Sequence, residues 1–134
     1  MATFVHGRLT YISLNAINLS TFVKKSEFKR VADVHDTTAY GALWKAKQGG
    51  LIEGMFSMEG TYDSTTSGPH DVIVPLIGTT VALIRRVEGT GTGKPETTCN
   101  VVVASYVETS PVNDMVTWSC DCEVDGTPTE ANQP

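Results

Sequence analysis

GGLIEGMFSMEGTYD, residues 49–63, decides the fold class. After a Gly pair the stretch alternates strictly. Ile52, Gly54, Phe56, Met58, Gly60 and Tyr62 fall on one side of an extended chain, and Glu53, Met55, Ser57, Glu59, Thr61 and Asp63 on the other. A period of two is the mark of a strand with one face buried and one face wet. The wet face here carries three carboxylates and no base, so a sheet built on this strand presents acid to solvent. Residues 31–50, VADVHDTTAYGALWKAKQGG, precede it with no sustained period and read as a long loop, an arrangement usually tied to function.

Working outward, the composition agrees with β structure. The 134 residues suit one domain with its own core, residues 1–124, followed by a polar tail at 125–134 without an apolar anchor, expected to be mobile. Thr, Val, Ser and Gly are abundant, which favours strands. The formal charge of −5 argues against tight nucleic-acid binding, since that rests on neutralising phosphates. No basic leader or membrane-length apolar run is seen, so a soluble chain made in the cytosol is expected, with no membrane partner. Cys99, Cys120 and Cys122 do not form a disulfide framework. The last two point to one side of a strand and are read as buried thiols. No cofactor or metal is expected.

The remaining elements follow in order. Residues 8–15 read as a first strand, 19–23 as a link anchored by Leu19 and Phe22, and 24–33 as a strand bearing Lys24, Lys25, Lys29 and Arg30. This basic run reads either as a solvated face or as a contact with an acidic partner surface. Residues 64–68 are a loop and 69–78 a short, imperfect helix. Pro69 suits its first turn and Gly78 its end, while the β-branched run 72–74 and Pro75 oppose regular geometry. Residues 81–86 form a strand. The Gly-rich segment 88–96 fails the spacing of a phosphate-binding loop and reads as a hairpin tip. Strands at 98–108 and 115–124 flank a turn at 110–114, with Val116, Trp118, Cys120, Cys122 and Val124 inward and Asp121 and Glu123 outward.

In the long loop, Asp33, His35 and Asp36 read either as an acid/base or metal cluster, for which no nucleophile or oxyanion stabiliser stands out elsewhere, or as backbone caps. Tyr40 and Trp44, flanked by Lys45 and Lys47, read either as an interface anchor or as a fold-back onto the domain's own core.

The order FVHG, ADVHDTTAYGA, GLIEGMFSMEGTYD, a GP followed by an apolar segment to LIG, and SYVETSPVNDMVTWSCDCEVDG resembles the tail tube proteins, or major tail proteins, of long-tailed siphophages. The resemblance implies a non-enzymatic virion protein: an antiparallel β-sandwich or small β-barrel with one short flanking helix and a long inter-subunit loop. Hexameric rings of such subunits stack into a hollow tube through which genomic DNA passes without specific binding. It further implies assembly in the host cytoplasm, location in the virion tail, and contacts with tape measure, tail terminator and distal tail proteins.

On this resemblance Glu53, Glu59, Asp63, Asp121 and Glu123 would line the lumen. The open alternative is that some of them pair with Lys24, Lys25, Lys29 or Arg30 of a neighbour. The loop holding Asp33, His35, Asp36, Tyr40, Trp44, Lys45 and Lys47 would reach the next ring. A capsid decoration protein is the main rival reading, followed by a small β-fold enzyme using Asp33, His35 and Asp36, and by a carbohydrate-binding β-sandwich.

Overall fold

The computed structural model describes residues 4–63 and 68–134. Their strands are β1 (Tyr11–Leu14), β2 (Ile17–Asn18), β3 (Lys25–Asp36), β4 (Lys47–Thr61), β5 (Thr80–Arg86), β6 (Pro95–Thr109) and β7 (Thr117–Asn132), with one helix, α1 (Pro69–Ile73), between β4 and β5. The strands form one antiparallel sheet in the order β2-β1-β5-β6-β7-β4-β3.

Alternation sorts side chains by face, as read from the sequence. Phe56 and Met58 of β4 sit opposite Cys122 and Cys120 of β7, and all four are buried with Trp118. Ile12 and Leu14 of β1, Leu83 of β5, and Val101 and Val103 of β6 fill the same core. Strands at opposite ends of the order can share one core only if the sheet rolls up. Register breaks in β6 against β7, at Thr98/Asn100 and Val103/Ser105, together with Gly126 at φ +82, supply the bends that strand bulges provide. The result is a mainly β, barrel-like fold with one short flanking helix. Three free thiols lie in this core, with the sulfurs of Cys120 and Cys122 3.7 Å apart.

The helix is shorter than the expected 69–78. Pro69 opens it and Val72 and Ile73 bury their side chains. Pro75 lacks the N–H that would continue the α ladder, so the chain tightens into a 3-10 turn, Val74–Leu76. Gly78, at φ +82, turns the chain and donates to the carbonyl of Val103 at 2.8 Å. The loop expected at 64–68 lies, over residues 64–67, outside the described residues. Among the described residues no helix is long and apolar enough to cross a membrane.

Two expectations are corrected. Residues 31–50 are not a loop of twenty residues. They are the outer half of a β3–β4 hairpin, paired as far as Asp36↔Lys47. Residues 125–132, expected as a mobile tail, continue β7 and pair with β6 as far as Asn132↔Pro95. Gln133 then buries itself in the Gly-rich segment between β5 and β6. Its N–H donates to the Lys94 carbonyl and its carbonyl accepts from Gly93, both at 2.8 Å. Its side chain accepts from the Gly91 N–H at 3.1 Å and donates to the Gly89 carbonyl at 2.9 Å. A polar tail is thus held by hydrogen bonds rather than by apolar contacts.

Candidate assembly surfaces

The β3–β4 hairpin outruns its pairing with the rest of the sheet. β4 pairs with β7 only from Met55 to Thr61, so Lys47–Gly54 has β3 alone for a partner. At about 3.4 Å per residue the ribbon runs on the order of 25 Å beyond that pairing. The ribbon has no core of its own. Val34, Leu51 and Ile52 are more than half exposed, and at the tip Tyr40, Leu43 and Trp44 are 109%, 99% and 88% exposed. Tyr40 and Trp44 therefore do not fold back on their own domain. A run of exposed large apolar side chains on a projecting element is the sort of surface that proteins reserve for partners.

The tip is nonetheless built, not loose, at its base. The Thr37 N–H donates to the Ala46 carbonyl at 2.8 Å, and the Ala46 N–H donates to Thr38 Oγ1 at 2.8 Å. Asp36 Oδ1 accepts from the Thr38 N–H at 2.9 Å. The Thr38 side chain and backbone together hold the Asp36 carboxyl below the usual carboxylate range. Asp36 is thus a local cap. His35 lies over Gly50, where any Cβ would meet its ring at 2.6 Å, and Asp33 sits at the register break between Ala32 and Val34. Among the described residues no three His, Cys, Asp or Glu side chains come together in a metal-binding arrangement.

The second surface is the outer face of β3, β4 and β7. Register places Lys25, Glu59 and Ser119 in one row, Glu27, Ser57 and Asp121 in the next, and Lys29, Met55 and Glu123 in a third, with Glu53 beyond them opposite Val31. Five carboxylates and two lysines share this face, a balance of −3. Four of the five acids singled out from the sequence, Glu53, Glu59, Asp121 and Glu123, meet here. Asp63 follows the end of β4 and is exposed. Glu27, missed earlier because β3 was read for its bases, belongs with them.

The basic run divides three ways. Lys25 and Lys29 join the acidic face. Arg30 points to the core side, with its guanidinium 4.5 Å above the Phe28 ring and in an ion pair with Glu130 of β7. Lys24 and Lys25 line a cleft of about 570 Å³ with Arg8 and Arg85. Burial, and then the nearby Arg30, lower the Arg85 guanidinium from its ordinary value.

The third surface is the turn between β6 and β7, at the opposite end of the sheet from the hairpin tip, since Thr61 and Thr109 both pair with Thr117 there. Residues 107–115 of that turn are all exposed, Val112 fully and Met115 at 66%.

The fold is similar to that of a chain in a structure described as the virion of a native gene transfer agent (GTA) particle, with TM-score 0.77 and 11% identity over 94% of this chain and 98% of that one. It is similar to a chain from the tail of an empty GTA particle refined with helical, C6 symmetry, with TM-score 0.67 and 12% identity over 82% of each chain. The SPP1 tail tube gives TM-score 0.74 and 9% identity over 96% of this chain and 80% of that one. At these identities the likeness is one of fold. No family model and no curated protein sequence matches the chain.

Proposed function

We propose that this chain is the major tail tube subunit of a long-tailed phage or phage-like particle, closing into hexameric rings that stack into a hollow tube for DNA. The observation that carries this reading is the likeness of fold, end to end, to a chain of a virion particle, 94% of this chain matching 98% of that one. The C6 symmetry of the GTA tail, a neighbour in fold, supports a ring of six. The reading also accounts for a hairpin with an apolar tip that has no place in its own domain, and for two open sheet edges that a neighbour's strands would cover. No catalytic step is assigned to the chain. Its location would be the virion tail, after assembly in the host cytoplasm, with tape measure, terminator and distal tail proteins as further partners.

In such a tube the acidic face of β3, β4 and β7 lines the channel. Six copies at −5 give roughly −30 per ring, and like charge keeps DNA sliding rather than binding. Glu53, Glu59, Asp63, Asp121 and Glu123 are assigned to that lining, and Lys25 and Lys29 on the same face temper it. Electron microscopy of the concentrated protein, with and without tail fragments as nuclei, tests the reading. Hollow tubes or six-fold rings are expected. Monodisperse monomers or trimers under both conditions would overturn it in favour of a decoration protein.

A further inference from the structure

The hairpin tip and the β6–β7 turn stand at opposite ends of one sheet, and their chemistry is complementary. Residues 37–46 of the tip carry Lys45 and no acid, around exposed Tyr40, Leu43 and Trp44. Residues 108–115 of the turn carry Glu108 and Asp114 and no base, around exposed Val112 and Met115. Each is an apolar patch edged by one sign of charge, and the signs are opposite. Neither is covered within the subunit. A contact between unlike surfaces at opposite ends of a molecule is heterologous, and repeating it without closure builds a filament along the axis that joins them.

We propose that the hairpin tip of one copy docks on the 108–115 turn of a second copy, with Trp44 and Leu43 against Val112 and Met115 and with Lys45 facing Glu108 and Asp114. The inference rests on the tube reading for the second copy as partner, and it names the receiving surface that the reading leaves open. Two independent features support it. The ribbon runs on the order of 25 Å beyond its pairing with β7, and its apolar tip is uncovered in its own subunit. The turn lies at the end of the sheet that such a neighbour would present. Charge at the rim sets register and orientation, while the apolar centre supplies most of the affinity.

The test is a charge exchange, read as the critical concentration for assembly by sedimentation at low and high salt. Lys45→Glu alone and the pair Glu108→Lys with Asp114→Lys alone should each raise the critical concentration by about tenfold at low salt, and less at high salt. Combining all three should return it to near the wild-type value. The exposed positions should leave the melting temperature of the monomer unchanged, and Lys45→Gln and Asp114→Asn should shift assembly in the same direction by a smaller factor. Wild-type protein that assembles while the reversals assemble equally well, or a triple variant no better than the worse parent, overturns this inference alone. Wild-type protein that never associates overturns the tube reading with it.

Discussion

Replacing Trp44 with Ala separates folding from assembly. Trp44 is 88% exposed in its own subunit. A Trp side chain offers roughly 200 Å² to bury, so about 180 Å² remains open here, worth about 4 kcal/mol if wholly covered and about 2 kcal/mol if half covered. The lower figure is the safer one for an interface, because ordering the tip offsets part of the gain. It corresponds to about a thirtyfold rise in the critical concentration. Removing an exposed side chain should change monomer stability by less than about 0.5 kcal/mol, or about 3 °C in melting temperature. Light scattering against concentration gives the first number and a thermal melt of the dilute protein gives the second. Unchanged assembly would refute the idea that the tip packs on a neighbour. A melting point lowered by ten degrees would mean that Trp44 belongs to its own core.

Other expectations concern the subunit itself. Gly60→Ala would drive a Cβ into the carbonyl oxygen of Phe22, with Trp118 Nε1 at 3.2 Å behind it. A loss of about 1–3 kcal/mol should follow in urea unfolding, and no loss would mean that the 19–24 link moves freely. Gln133→Ala removes two side-chain hydrogen bonds from the Gly-rich segment and should cost about 2 kcal/mol, with faster amide exchange at Gly91. Asp36 has its carboxyl lowered by Thr38, so the charged form is favoured in the fold. Its contribution is present at neutral pH and lost as pH falls through the depressed folded value. The Thr38 amide signal should therefore report fraying of the tip only in acid, and a Thr38 amide that titrates near neutrality would contradict the cap.

What could be read from the sequence was whatever lay half in and half out of the core. Phe56, Met58, Trp118, Cys120 and Cys122 alternate with polar neighbours because one face of each strand is buried, and that contrast appears in the text of the chain. The outer hairpin escaped because neither face of the ribbon is buried within the subunit and a register break at Ala32/Val34 interrupts its period. Residues 125–132 escaped for a related reason. Their strand is held by ladder hydrogen bonds and by Gln133, which leave no hydrophobic signature. Among the site residues, the acids of β4 and β7 were found by alternation. Arg30 was grouped with the lysines because its partner, Glu130, lies 100 residues away and on a segment expected to be mobile.

β4 runs for fifteen residues without interruption, its first half in the outlying ribbon and its second in the core. At about 3.4 Å per residue it is a beam of roughly 50 Å. A pull on the tip along that beam loads the hydrogen bonds between β4 and β7 in shear, several at once, rather than opening them one after another like a zip. Phe56 and Met58 anchor the far end. A subunit tethered to its neighbours through this hairpin would therefore resist stretching along the strand far better than peeling across it. Within each subunit the load would be carried by backbone hydrogen bonds acting together, leaving the side-chain contact at the tip as the joint between copies.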